Sequence, residues 1–270
     1  MSHEPTQAIT DPIRLGNTEC HSRFLLGTAG YPSPAILESA IHTSETEIVT
    51  MGIKRQAANV SGGGGKVWWD LIRSTGRRIL PNTAGCRTAD EAITLAQMAR
   101  EMFQTNWIKL EVVGDDYTLQ PDTFELVPAA KKLVELGFEV FPYCTEDLLV
   151  AERLRDVGCR ILMPWAAPIG SGQGISNPDA LIRMRQRFPD LTLIVDAGIG
   201  APSHAALAME LGFDGVLLNS AVAQSKDPIK MAAAFRDAIR AGRLGYQAGI
   251  ISAQPFATPS TPISGQPFTL

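Results

Sequence analysis

Eight short β-branched or aliphatic runs, each followed by an amphipathic stretch, constrain this chain more than any other feature. They are RFLLGT (23–28), EIVTMGI (47–53), RILPNT (78–83), WIKLEV (107–112), FEVFPY (138–143), RILMPW (160–165), LTLIVDA (191–197) and GVLLNS (215–220). Strands alternating with helices read as consecutive βα units, and eight such units close on themselves. The 270 residues are enough for the roughly 250 of a (β/α)₈ TIM barrel. The expected fold class is therefore α/β, with residues 1–270 as a single (β/α)₈ barrel domain. An N-terminal lid segment is expected over about 1–22, and an extended or disordered proline-rich tail over about 253–270.

Helix start and stop chemistry supports that reading. Thr88 with Glu91 three residues later has the spacing of a capping box, after which Ala92, Leu95, Ala96, Ala99 and Phe103 share one face. Asn177-Pro178 and Asp227-Pro228 each place a capping side chain before a proline at the first helical position. Gly137, Gly158 and Gly212 each stand between a helix and a strand, as a left-handed C-terminal stop requires.

Composition removes several function classes. With 24 Lys+Arg against 28 Asp+Glu and a net charge of −4, no global field attracts nucleic acid, so an anionic ligand must be held locally. No window is long and apolar enough to cross a membrane, and the opening MSHEPTQAIT lacks the basic and apolar regions of a signal peptide. Cys20, Cys86, Cys144 and Cys159 have no CxxC spacing and fit reduced thiols. A soluble cytoplasmic protein is expected. His3, His21, His42 and His204 form no HxH or HExxH, so no metal is expected; neither a GxSxG elbow nor a strand-bound GxGxxG is present.

The chemistry is concentrated at strand ends. In WIKLEV the period of two puts Trp107, Lys109 and Glu111 on one face and Ile108, Leu110 and Val112 on the other. The aliphatic face belongs against helices, so Lys109 and Glu111 point into the barrel. Burial there is expected to lower the lysine pKa and free a neutral amine to attack a carbonyl; a structural Lys–Glu pair is the alternative. Lys54 is a rival amine, set in a basic turn with Arg55. Asp196, at the end of LTLIVDA, reads either as a general acid/base or as a cap for the Gly-rich turn after it. Three loops, PIGSGQG (168–174), AGIG (197–200) and Asn219-Ser220, have the composition of a phosphate cradle, in which backbone N–H groups converge on an anion. Tight βα turns would use the same glycines. The GGGG run at 62–65 reads as a mobile loop or lid, and Trp68-Trp69 as packing.

TNWIKLEVVGD, GFEVFPYCTED, MPWAAPIGSGQGI, IVDAGIGAPSHAALAMELGFDGVLLNSAVA and DPIKMAAAF followed by AGRLGYQAG together resemble the thiazole synthases of thiamine biosynthesis, over about residues 10 to 252. The resemblance implies a transferase that condenses 1-deoxy-D-xylulose 5-phosphate, dehydroglycine and sulfur from the thiocarboxylate of a small sulfur-carrier protein, with no cofactor. Lys109 matches the lysine that forms an imine with the sugar ketone. Glu111 and Asp196 match acid/base carboxylates, and Gly170, Ala197, Gly198, Asn219 and Ser220 match the positions that hold the sugar phosphate. A homotetramer or homodimer with the carrier bound is implied, without nucleic acid or membrane. Two departures stand out: Ser220 where the family usually has threonine, and Trp165-Ala166-Ala167 at the mouth. From the residues alone, a Schiff-base aldolase acting on a sugar phosphate and a non-catalytic phosphate-binding scaffold are the rival readings.

Overall fold

The barrel strands are short, and each falls inside one of the eight runs or ends within a residue of it. In the computed structural model, which describes residues 11–53 and 64–260, they are β3 (Phe24–Gly27), β4 (Ile48–Gly52), β5 (Arg78–Asn82), β6 (Trp107–Leu110), β7 (Glu139–Cys144), β8 (Ile161–Pro164), β9 (Thr192–Asp196) and β10 (Gly215–Leu218). They pair in parallel in chain order, and β10 closes on β3 to complete the barrel. The expected (β/α)₈ fold is the observed one. An antiparallel hairpin of β1 (Ile13–Leu15) and β2 (Thr18–Cys20) precedes it.

Alternation along each strand sorts the apolar side chains into two layers. Leu25, Ile48, Leu80, Phe141, Ile161, Met163, Ile194 and Leu217 fill the barrel interior, with Ile13, Leu15 and Cys20 of the hairpin in the same cluster. Leu26, Val49, Ile108, Leu110, Val140, Leu162, Val195 and Val216 face outward against the helices. Trp107 packs with the inner cluster while Ile108 and Leu110 belong to the outer one, so Lys109 points inward as its spacing requires.

The helices in chain order are α1 (Pro34–Ser44), α2 (Gly64–Ser74), α3 (Ala89–Phe103), α4 (Thr123–Glu135), α5 (Leu148–Asp156), α6 (Pro178–Arg187), α7 (Pro202–Glu210), α8 (Ser220–Ala223) and α9 (Pro228–Ala248). Asn177 and Asp227 cap α6 and α9 by accepting from the Ala180 and Lys230 N–H groups. Thr88 caps α3 through the Glu91 N–H, but the Glu91 carboxylate accepts from Arg87, one residue before the expected partner. Gly137, Gly158 and Gly212 all have positive φ. No helix among the described residues is long and apolar enough to cross a membrane. Residues 251–260 lie exposed without regular structure. Lys54, Arg55, Gly62 and Gly63 lie outside the described residues, so the rival amine and the start of the glycine run do as well.

Helix α9 crosses α7 at a glycine. A β-carbon on Gly242 would overlap the Ala206 carbonyl oxygen and come within 2.9 Å of the Met209 β-carbon. Helix propensity alone favours Gly242→Ala by about 1 kcal/mol. A backbone oxygen cannot swing aside as a side chain can, so overlap outweighs propensity. Gly242→Ala is expected to destabilise the protein by roughly 1–3 kcal/mol, measured as a lower urea midpoint at unchanged slope.

Candidate active site

Parallel barrels place the C-terminal ends of all their strands at one mouth, where βα loops surround a common space. Here that mouth holds a cavity of about 1150 Å³, and Lys109, Glu111, Asp196, Gly170, Ala197, Gly198, Asn219 and Ser220 all line it. The structure therefore brings together every site residue expected from the sequence. Lys109 rises from β6, Glu111 follows two residues later on the same side, and Asp196 ends β9.

The three charged groups are in direct contact. Lys109 Nζ lies 3.1 Å from Glu111 Oε1 and 2.6 Å from Asp196 Oδ2, and each side chain is at least nine-tenths buried. The Tyr143 ring lies beside the ammonium, its centroid 5.8 Å away. Burial by itself pushes the lysine pKa down, which is the basis of the neutral-amine expectation. Asp196 and then Glu111 push it up, and together they prevail, leaving Lys109 above the ordinary lysine range. At about 3 Å and an effective dielectric near 20, each attraction is on the order of 5 kcal/mol before solvation costs. The expected neutral amine is thus corrected to an ammonium held by two carboxylates. Burial raises the Asp196 pKa, and the charge of Lys109 offsets part of that rise. Asp196 Oδ2 is thus the carboxylate oxygen nearest the ammonium, in a side chain that burial makes less acidic than usual.

The glycine loops interlock. Gly174 N–H donates to the Gly198 carbonyl at 2.8 Å. A β-carbon on Gly198, which has φ +73°, would stand 2.7 Å from Ala167 Cα, and one on Gly200 would stand 2.6 Å from Gly172 Cα. His204 Nδ1 accepts from the N–H groups of Gly200 and Ala201 at 3.2 Å each, fixing the start of α7. Tight packing therefore accounts for two of these glycines whether or not an anion is bound. Gly170 lies across from Ser220, whose Oγ would be 3.9 Å from a β-carbon placed there. Ser220 opens the single-turn helix α8, and the first N–H groups of any helix lack intrahelical partners.

Asn219 lines the cavity as expected, and its side chain has a further tie. Its Nδ2 donates to the Ala29 carbonyl at 3.0 Å, and a β-carbon on Gly27 would lie 2.7 Å from its Cγ. The side chain thus ties the end of β10 to the loop after β3, while its backbone lies in the cavity wall. Sequence reasoning also missed Trp68, Thr50 and Asn82, which line the cavity. Trp69, its neighbour, packs edge-on against Phe103 at 5.0 Å. The tandem tryptophans read as packing because nothing local separates a ring facing the core from one facing a ligand. The Trp165 indole Nε1–H donates to the Glu146 carboxylate, so this departure residue is tied into the rim.

Residues 14–262 match the family profile of the thiazole biosynthesis protein ThiG. A thiazole synthase of Rhodopseudomonas palustris (strain BisB5) is 59% identical over 256 residues, 95% of this chain and 98% of that one. One from Cupriavidus metallidurans is 54% identical over 272 residues, 99% of this chain and 96% of the other. Among solved structures, the Amycolatopsis orientalis BexX/CysO complex contains a chain 30% identical with a TM-score of 0.80; the match covers 90% of this chain and 98% of that one.

Proposed function

Because this chain belongs to the thiazole synthase family of thiamine biosynthesis, we propose that it joins 1-deoxy-D-xylulose 5-phosphate, dehydroglycine and carrier-bound sulfur into the thiazole phosphate carboxylate through an imine on Lys109. The observation that carries the reading is the contact of one buried amine with two buried carboxylates at the floor of a glycine-walled cavity. An imine-forming enzyme needs a nucleophilic amine and groups that move protons around it, and these three side chains supply both.

In this reading the sugar phosphate lies against Gly170, Ala197-Gly198 and Asn219-Ser220, which brings its ketone towards Lys109. Lys109 passes a proton to Asp196 across 2.6 Å, and the freed amine attacks the ketone carbon. Protonation of the resulting hydroxyl and loss of water leave the imine. Glu111 and Asp196 then shuttle protons between neighbouring sugar carbons, moving the carbonyl along the chain so that sulfur can enter. The thiocarboxylate of the carrier supplies that sulfur, its carbon–sulfur bond breaking as the acyl group takes a sugar oxygen in exchange, so that the carrier leaves as the plain carboxylate, and no metal or cofactor takes part. That BexX is solved together with CysO supports a protein partner for this fold. We place the chain in the transferase class and in the cytoplasm, as one barrel domain within a homodimer or homotetramer.

The test is reconstitution with all three substrates, following the thiazole phosphate carboxylate by mass. Product is expected with the carrier thiocarboxylate and none with the plain carboxylate. Cleavage of the sugar phosphate without any carrier would identify an aldolase instead, and inertness in both mixtures would favour a scaffold.

A further inference from the structure

The last residue of the RILPNT run sits where the hydrogen-bond ladder between β5 and β6 gives out. That ladder pairs Asn82 with Lys109, and Thr83 N–H donates to the Lys109 carbonyl at 3.1 Å. A regular parallel ladder would next take the Glu111 N–H to the Thr83 carbonyl. That carbonyl is turned away and accepts from Cys86 N–H at 3.1 Å, in the turn that carries Ala84 and Gly85 into the cavity wall. The Thr83 hydroxyl fills the missing place. It accepts from Glu111 N–H at 2.8 Å and donates to the Glu111 carbonyl at 2.8 Å, in a side chain with no exposed surface. One hydroxyl can do both, having a donor and free lone pairs.

We propose that Thr83 is a positioning residue, a side-chain rung that holds the backbones of Lys109 and Glu111 in register after the strand has turned away to open the cavity. The conflict it resolves is geometric. The loop after β5 must leave the sheet to make room for substrate, yet Glu111 lies one residue beyond the end of β6 and must stay within reach of the Lys109 ammonium. Extending the backbone ladder would close the mouth, and abandoning it would leave Glu111 unanchored. A hydroxyl on a β-branched residue, stiff about its first side-chain torsion, satisfies both demands. Serine offers the same hydroxyl with less rigidity. Valine offers the shape without the rung.

The proposal rests on the roles given above to Lys109 and Glu111, so its test includes a readout independent of the sugar. Competitive acetylation of Lys109 with acetic anhydride across pH reports how firmly the ammonium is held. In Thr83→Val the Glu111 carboxylate loses its anchor, and Lys109 acetylation near neutral pH is expected to rise about tenfold, the change that one pKa unit makes. The turnover number should fall roughly 10- to 100-fold, the scale of an ångström-level misplacement, with KM for the sugar phosphate nearly unchanged. Thr83→Ser should restore both. Should the valine variant not fold, Thr83→Cys, of similar size and weaker in hydrogen bonding, makes the same comparison. Unchanged acetylation and turnover in a folded variant, with only a lower Tm, would overturn the proposal. A shifted acetylation profile in a protein whose wild-type form never binds the sugar covalently would support the Thr83 assignment and sink the imine reading instead.

Discussion

Lys109→Ala is expected to reduce thiazole formation by roughly 10⁴-fold or more, the scale at which loss of a covalent nucleophile is felt. The same change carries a stability signature that a surface lysine would not. Glu111 and Asp196 remain at 5% and 3% exposure with their shared cation gone. Removing one member of a buried ionic cluster typically costs about 3–5 kcal/mol, because the charge left behind has neither water nor partner. Burial already raises Asp196 in the native protein against the pull of Lys109, and without the lysine that rise is unopposed. A carboxylate whose folded pKa lies above its unfolded value stabilises the fold at low pH, and that contribution is lost as pH rises through the folded pKa. The variant should therefore be closest to wild type near pH 4, the ordinary carboxylate value, and fall increasingly behind as pH rises from there to about pH 7. Urea midpoints at those two values measure it. A stability gap independent of pH would contradict the charge account even if activity were lost.

The second large effect is expected at Asp196. Asn keeps the shape and a hydrogen-bonding oxygen but has neither the charge nor the basicity to take a proton, so Asp196→Asn separates proton transfer from nucleophilic attack. Thiazole formation should drop by roughly 10²–10⁴-fold, the usual contribution of a general acid/base. Covalent capture of the sugar by Lys109 should survive, because Asp196 is the larger of the two carboxylate influences that hold the ammonium. With that influence gone the amine becomes neutral at lower pH, and the pH profile of capture should move to the acid side. Turnover within about threefold of wild type would instead make Asp196 a cap for the glycine turn, the other role its position at the end of β9 allows.

What the sequence discloses here follows from which properties are local. The eight strands are legible because each is a short apolar run ended by a turn residue, and the inward aim of Lys109 follows from a period of two alone. The three glycine loops are recognisable by composition, and the fold makes them neighbours. The protonation of Lys109 is not legible, because it depends on Asp196, 87 positions along the chain and brought to 2.6 Å only by closure of the barrel. Burial is a property of one residue, whereas the balance of burial against two carboxylates is a property of three. Asn219 could be read as a strand-end polar residue, but its amide reaches back 190 positions to Ala29. Thr83 carried a faint signal, a hydroxyl immediately after a strand in the run next to Lys109. That signal gains meaning only once the turn of its own carbonyl is seen.

Borohydride trapping shows whether Lys109 forms an imine with the sugar. The protein is mixed with 1-deoxy-D-xylulose 5-phosphate, reduced, digested and mapped by mass, with Lys109→Ala alongside. One reduced sugar adduct is expected, on Lys109, absent from the variant. No adduct, or an adduct confined to Lys54 or another amine, would contradict the imine mechanism and return Lys109 to the status of a buried structural charge.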